Sequence, residues 1–122
     1  MQIEEKQAKL LSITQKELLD FMIYAAEEIQ EANMFSTGFR YATAFRYADA
    51  ISQMKAVYDM LCCTQLDEQD LDCILPFNNP LRLMSAVWKP DKICEGQQKE
   101  ILAGIIENMH KTPKTLRSNC NG

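Results

Sequence analysis

Glycine and proline are so scarce in this chain that a fold made of many short strands is disfavoured from the outset. Only four Gly and four Pro occur among 122 residues, whereas an all-β domain needs turn residues about every 8–12 positions. Leu, Ala, Met, Glu, Gln and Lys are frequent instead, and these residue types favour helices. The composition therefore predicts an all-α fold.

A long helix is predicted in the first third of the chain. Five apolar residues recur there at steps of four and three, the spacing of one helix face: Leu18, Met22, Ala25, Ile29 and Ala32. Thr14-Gln15-Lys16-Glu17 matches a capping box, which marks the start of a helix. We therefore expect a helix over about residues 15–33, preceded by a shorter one within residues 2–11.

A second long helix follows a break at Phe35-Ser36-Thr37-Gly38, where Ser36 or Thr37 can cap the next helix. The residues that would face a neighbouring helix, which we call the seam, recur at steps of three and four: Tyr47, Ala50, Met54, Val57 and Leu61. This spacing predicts a helix over about residues 39–62. Two long helices joined by a short turn are most simply an antiparallel hairpin.

Shorter helices are predicted in the second half of the chain, over residues 67–75, 81–89 and 96–110. Acidic residues open the first of them, and Asn79-Pro80 provide a cap and first residue for the second. Pro90 ends the second helix and Pro113 ends the third. We expect residues 1–111 to form a single helical domain, a small bundle built on the hairpin. The polar tail over 112–122 is predicted to be disordered.

The charges are divided unevenly along the chain. Residues 1–75 hold six basic and thirteen acidic residues, a balance of −7, while residues 76–122 hold seven basic and four acidic, a balance of +3. Phosphate repels the larger, acidic part, so nucleic-acid binding is disfavoured. Any such contact is expected from the mildly basic second part.

The cysteines and the first residues predict a cytoplasmic protein. Five cysteines are an odd number and Cys62 adjoins Cys63, so they suit free thiols in a reducing compartment better than a disulfide framework. The chain begins without the pattern of a signal peptide. It also contains no apolar run long enough to span a bilayer, so no membrane association is expected.

One short repeat stands out, because Phe39-Arg40-Tyr41-Ala42-Thr43-Ala44 is followed directly by Phe45-Arg46-Tyr47-Ala48-Asp49-Ala50. Six residues turn a helix through about 600°, so the two copies face different directions. Tyr41 and Phe45 then lie opposite the seam. Either the leading or the final helix covers them, or they form a contact surface with Arg40 and Arg46, since such residues anchor protein interfaces.

No catalytic, cofactor or metal site is predicted. The only histidine is His110, which is expected to complement the dipole at the end of the last helix. Glu107-x-x-His110 has the spacing of helical di-iron sites, but those sites need the motif on two helices. The acidic cluster of Asp67, Glu68, Asp70 and Asp72 is either a solvated helix start or a negative patch for a basic partner.

These observations favour a non-catalytic protein-binding domain, such as an inhibitor, adaptor, chaperone or regulatory subunit, whose partner is another protein or a second copy. One alternative is a nucleic-acid-associated regulator that uses basic residues of the second part: Arg82, Lys89, Lys92, Lys111, Lys114 and Arg117. Another is an enzyme with a nucleophilic cysteine such as Cys94, near the start of the last helix.

Overall fold

The computed structural model describes residues 2–32, 36–86 and 97–111. Within these ranges the chain forms five helices and no strand: α1 (Ile3–Ala32), α2 (Thr37–Cys63), α3 (Glu68–Ile74), α4 (Pro80–Ala86) and α5 (Gln98–His110). Helices α1 and α2 pack closely as a hairpin, and the shorter helices pack on it. The predicted all-α bundle is confirmed, while the predicted tail lies outside the described residues.

Helix α1 is continuous, so the prediction of two helices with a start at Thr14 is wrong. Thr14 is buried in the middle of α1, and its hydroxyl donates a hydrogen bond to the carbonyl oxygen of Leu10 at 2.8 Å. A threonine hydroxyl that bonds back to the preceding turn is satisfied without ending the helix. The residues predicted as a separate leading helix are the first turns of α1.

Helix α2 begins where the break in the sequence predicted it. Ser36 is its N-cap, and the Ser36 hydroxyl accepts a hydrogen bond from the backbone N–H of Phe39 at 3.1 Å. This bond satisfies one of the amides that the first turn of a helix leaves without a partner.

The predicted seam of the hairpin is covered only in part. Three of five predicted positions on each helix are buried: Leu18, Ala25 and Ala32 on α1, and Met54, Val57 and Leu61 on α2. Met22 of α1 keeps 43% of its surface exposed, and Ile29, Tyr47 and Ala50 are half-buried. The apolar face of each helix is therefore wider than the strip that the other helix covers.

The hydrophobic core lies at the end of the hairpin remote from the turn, where α3, α4 and α5 pack against α1 and α2. Its largest fully buried side chains include Leu10, Met54, Leu61, Leu81, Met84 and Leu102. No described residue between positions 22 and 50 belongs to this core. We call residues 19–32 and 36–50 the arm, and the other described residues the base.

Polar contacts fix α3 against the first turns of α1. The Lys6 ammonium lies 2.9 Å from a Glu68 carboxylate oxygen and 2.8 Å from one of Asp72, and these two hydrogen-bonded carboxylates raise the pKa of Lys6. The Gln7 side chain donates to the carbonyl oxygen of Thr64 and accepts from the N–H of Leu66, both at 3.2 Å. The loop before α3 is thereby held by α1.

Glu17 of α1 serves as the side-chain acceptor for the start of α4. Its two carboxylate oxygens accept from the backbone N–H groups of Leu81 and Arg82 at 2.9 and 2.8 Å. Burial raises the pKa of Glu17, and the two backbone hydrogen bonds and the charge of Arg82 offset part of that rise. Pro80 is the first residue of α4, as predicted. Residues 87–89 of the predicted helix and residue 96 lie outside the described ranges.

Candidate protein-binding surface

The arm carries the large apolar side chains that remain exposed among the described residues. They are Leu19, Met22, Ile23 and Tyr24 of α1 and Phe39, Tyr41 and Phe45 of α2. The buried residues in the seam between the two arm helices are small, namely Ala25, Ala32 and Thr43, and the half-buried Tyr47 is a large residue beside them. Small seam residues let two helix backbones approach closely.

Tyr41 and Phe45 lie one turn apart on the outer surface of α2. Tyr41 is 53% exposed and Phe45 is 71% exposed, while Thr43 between them is buried in the seam. In the described part of the chain, neither the first turns of α1 nor α5 covers the two rings. The structure therefore places both aromatic side chains where a partner can reach them.

Arg40 and Arg46 each stack on the tyrosine that follows them in sequence. The Cζ atom of Arg40 lies 5.4 Å from the centre of the Tyr41 ring, and that of Arg46 lies 5.2 Å from the Tyr47 ring. Both distances are within the range of cation–π contacts. Only the first of these pairs adjoins the exposed rings of Tyr41 and Phe45, since Tyr47 is half-buried.

Tyr47 belongs to an aromatic cluster that joins the two helices at the boundary between arm and base. Its ring centre lies 5.8 Å from that of Phe21 and 5.9 Å from that of Tyr24. A hydrogen bond with Tyr47, together with the nearby Glu28 carboxylate, raises the pKa of Tyr24 to about 12. The Cζ atom of Arg82 lies 5.3 Å from the Phe21 ring centre, and Arg82 and the three rings line an open groove of 660 Å³.

Four of the seven large exposed apolar residues of the arm are assigned to one side of the hairpin, whereas Tyr24, which directly precedes the seam residue Ala25, lies on the other. On α1, Leu19 and Ala26 directly follow the seam residues Leu18 and Ala25, so they lie about 100° further round the helix. On α2, Ala44 and Ala48 directly follow the seam residues Thr43 and Tyr47. Because the two helices are antiparallel, rotation in the same sense brings both sets to the same side.

We call this surface the apolar side of the arm. It comprises Leu19, Met22, Ala26 and Ile29 of α1 together with Tyr41, Ala44, Phe45 and Ala48 of α2. Arg40 lies one turn before Ala44 and therefore on the same side, and the other residues of this surface are uncharged. Glu31 and Arg46 directly precede the seam residues Ala32 and Tyr47, so they lie on the opposite side of the hairpin.

The acidic cluster makes intramolecular contacts in the base. Asp67 is the N-cap of α3 and accepts from the N–H of Asp70 at 2.8 Å, and Glu68 and Asp72 bind Lys6. The Asp70 carboxylate lies 3.1 Å from Nε2 of His110, so His110 joins α5 to α3 besides ending its own helix. A role of this cluster in binding a basic partner stays a prediction.

The residues behind the two alternative functions lie partly outside the described ranges. Lys89, Lys92, Cys94, Lys114 and Arg117 are outside them. Of the basic residues that are described, Arg82 stacks on Phe21, and the Lys111 ammonium lies 3.4 Å from a carboxylate oxygen of Glu107. Among the described cysteines, Cys62 and Cys63 are exposed thiols and Cys73 is a buried one.

Neither a membrane span nor a metal-binding group is found in the part of the chain that the structure describes. None of the five helices combines the length and the apolar composition needed to cross a bilayer. The described His, Cys, Asp and Glu side chains form no group of three or more that could hold a metal ion.

No protein-family model matches the chain, and no curated protein or solved structure is found to be similar to it.

Proposed function

We propose that the chain is a non-catalytic protein-binding domain, of the inhibitor, adaptor, chaperone or regulatory-subunit kind, that binds its partner through the arm. The observation that carries this proposal is the exposure of Tyr41 and Phe45, at 53% and 71%, on the part of α2 that extends beyond the core. Exposed apolar patches of several large side chains mark interaction sites on soluble domains.

The residue types of the arm support this proposal. Aromatic residues, methionine and arginine are enriched at protein interfaces, and tyrosine and arginine often carry most of the binding energy. Tyr41, Phe45 and Met22 supply such anchors, with Arg40 stacked beside Tyr41 and Arg46 on the neighbouring side of the helix. A stacked guanidinium is partly ordered before binding, so less side-chain entropy is lost when it contacts a partner.

Photo-crosslinking from the arm tests the proposal directly. A benzoylphenylalanine in place of Phe45 should form adducts with a protein partner when intact cells are irradiated, because Phe45 is the most exposed of the large apolar residues in the described part of the arm. The matched control carries the same residue at Ala103, an exposed position of α5 in the base. We expect adducts from position 45 that position 103 does not give.

The double substitution Tyr41→Ala/Phe45→Ala tests the same surface without an introduced crosslinking group. Circular dichroism should show an unchanged helix content, since both rings are exposed. A partner identified by crosslinking should then bind the double variant more weakly by roughly 30-fold or more, as for two anchor residues. Unchanged binding would contradict the proposal.

A further inference from the structure

The arm has the sequence and exposure pattern of one half of a four-helix bundle. The five predicted seam residues of α1 step by four and three, which is the face that a helix turns toward the centre of a bundle. In the hairpin, Leu18, Ala25 and Ala32 are buried, whereas Met22 is exposed and Ile29 is half-buried. One edge of the face is covered and the other is open.

We infer that the partner of the arm is a second copy of this chain, and that two arms pack through their apolar sides into a four-helix bundle. The inference rests on the proposed function, because it names the occupant of the same surface. A bundle needs two helices beyond those of one hairpin, and a second arm supplies two of the same length with the same apolar side. The interface is then isologous, with one two-fold axis.

The base of the same hairpin shows what covers these two helices where the chain supplies its own partners. There α3, α4 and α5 pack against α1 and α2, and Leu10, Met54 and Leu61 are fully buried. Among the described residues, no helix plays this part for the arm. A second arm would provide the layer that the shorter helices provide in the base.

The distribution of charge favours a second copy over a charged partner. Two identical surfaces that meet bring like charges together, and such repulsion is costly unless the charges lie away from the centre of the contact. The apolar side of the arm carries one charged residue, Arg40, in the first turn of α2, where its guanidinium stacks on the Tyr41 ring. Glu31 and Arg46 lie on the opposite side, so they stay in water when two apolar sides meet.

The size of the exposed surface fits a dimer interface. A large side chain that is about half exposed leaves on the order of 100 Å² of its surface in water. Four such residues of the apolar side together expose roughly 400 Å²: Leu19, Met22, Tyr41 and Phe45. With the alanines between them this is more than half of the about 800 Å² per partner that a standard interface buries.

Large and small residues also alternate on the apolar side, as packing between two copies requires. Tyr41 and Phe45 project next to Ala44 and Ala48, and Leu19 and Met22 project next to Ala26. Large side chains of one arm can therefore enter the depressions that the alanines leave on the other. This is the knobs-into-holes arrangement of four-helix bundles.

A pair of alanine substitutions on the same helix tests the inference. Ala42 and Ala48 are both exposed residues of α2. Ala48 directly follows the seam residue Tyr47 and lies on the apolar side, whereas Ala42 directly precedes the seam residue Thr43 and lies on the other side. Glutamate is a good helix former at either position, so Ala48→Glu and Ala42→Glu differ in which side receives the charge.

Sedimentation equilibrium over a wide concentration range should show a reversible dimer for the wild type. We expect Ala48→Glu to weaken the dimer by roughly 30-fold or more, because it buries two like charges near the two-fold axis. We expect Ala42→Glu to change the dissociation constant by no more than about twofold, as for a surface position. Circular dichroism should show the same helix content for all three proteins.

Three outcomes would overturn the inference. A wild-type dimer that both variants leave intact would place the interface elsewhere, and equal weakening by both variants would remove the distinction between the two sides. A wild type that stays monomeric at every concentration would exclude a second copy. In that case adducts between position 45 and a different protein would preserve the proposed function, whereas crosslinks within one chain would overturn it as well.

Discussion

The arm and the base are made from the same two helices, yet they use side chains in opposite ways. In the base, the large residues Leu10, Leu18 and Leu61 point into the seam and into a core that three further helices close. In the arm, the buried seam residues are alanine and threonine with the half-buried Tyr47 beside them, and seven large apolar residues are exposed. The two helices therefore change from inward to outward packing along their length.

This difference means that the base supplies the buried core that stabilises the fold, whereas the arm supplies exposed apolar surface. Buried apolar surface is the main favourable contribution to folding, and the described core lies in the base. The arm adds little buried apolar surface but extends the two helices by several turns beyond that core. Because the base already fixes the two helices against each other, the arm can present exposed aromatic residues in a defined geometry without depending on them to fold.

The largest effect is expected from a cavity in the base. Leu61 of α2 has no exposed surface and lies in the core, so Leu61→Ala should lower the free energy of unfolding by about 2–5 kcal/mol. Urea denaturation followed by circular dichroism measures this change. A loss below about 1 kcal/mol would show that the base does not hold most of the stability, and the comparison would fail.

A smaller loss is expected from enlarging the seam of the arm. Ala25 is 1% exposed between α1 and α2, so Ala25→Leu should force the helices apart and cost about 1–3 kcal/mol. The adjacent Ala26 is exposed, and Ala26→Leu is the matched control, expected to change stability by no more than about 0.5 kcal/mol in dilute monomeric protein. Equal effects of the two substitutions would show that the seam does not need small residues.

The elements that sequence predicted well are those that local interactions decide. Ser36 and Asp67 cap α2 and α3 because each side chain accepts from an amide three residues later, and such a contact needs no distant part of the chain. The steps of three and four likewise identified both faces of the hairpin, since helical spacing alone determines which residues share a face.

The predictions that failed depend on contacts between distant residues. Thr14 and Glu17 have the spacing of a capping box, but the Glu17 carboxylate binds the start of α4, more than sixty residues away. No local signal distinguishes the two roles. For the same reason the sequence did not reveal that Arg82 of α4 stacks on Phe21.

The candidate surface was predicted in part. Helical geometry placed Tyr41 and Phe45 opposite the seam, but their exposure depends on where α3, α4 and α5 pack. Those helices pack on the base, a tertiary outcome that periodicity does not determine. The exposure of Leu19, Met22 and Ile23 on α1 follows from the same packing, so it could not be predicted from the spacing that placed Met22 in the seam.

The smallest change in the free energy of unfolding is expected from Phe45→Ala. How this change depends on protein concentration distinguishes a contribution of the ring to folding from a contribution to association. The Phe45 ring is 71% exposed, so in dilute monomeric protein its removal should change the free energy of unfolding by no more than about 0.5 kcal/mol. At high concentration the wild type should become more stable, because association favours the folded state by mass action. The variant should gain less than the wild type. If Phe45→Ala instead costs as much as Leu61→Ala in dilute solution, the ring belongs to the folding core, and the division between arm and base does not hold.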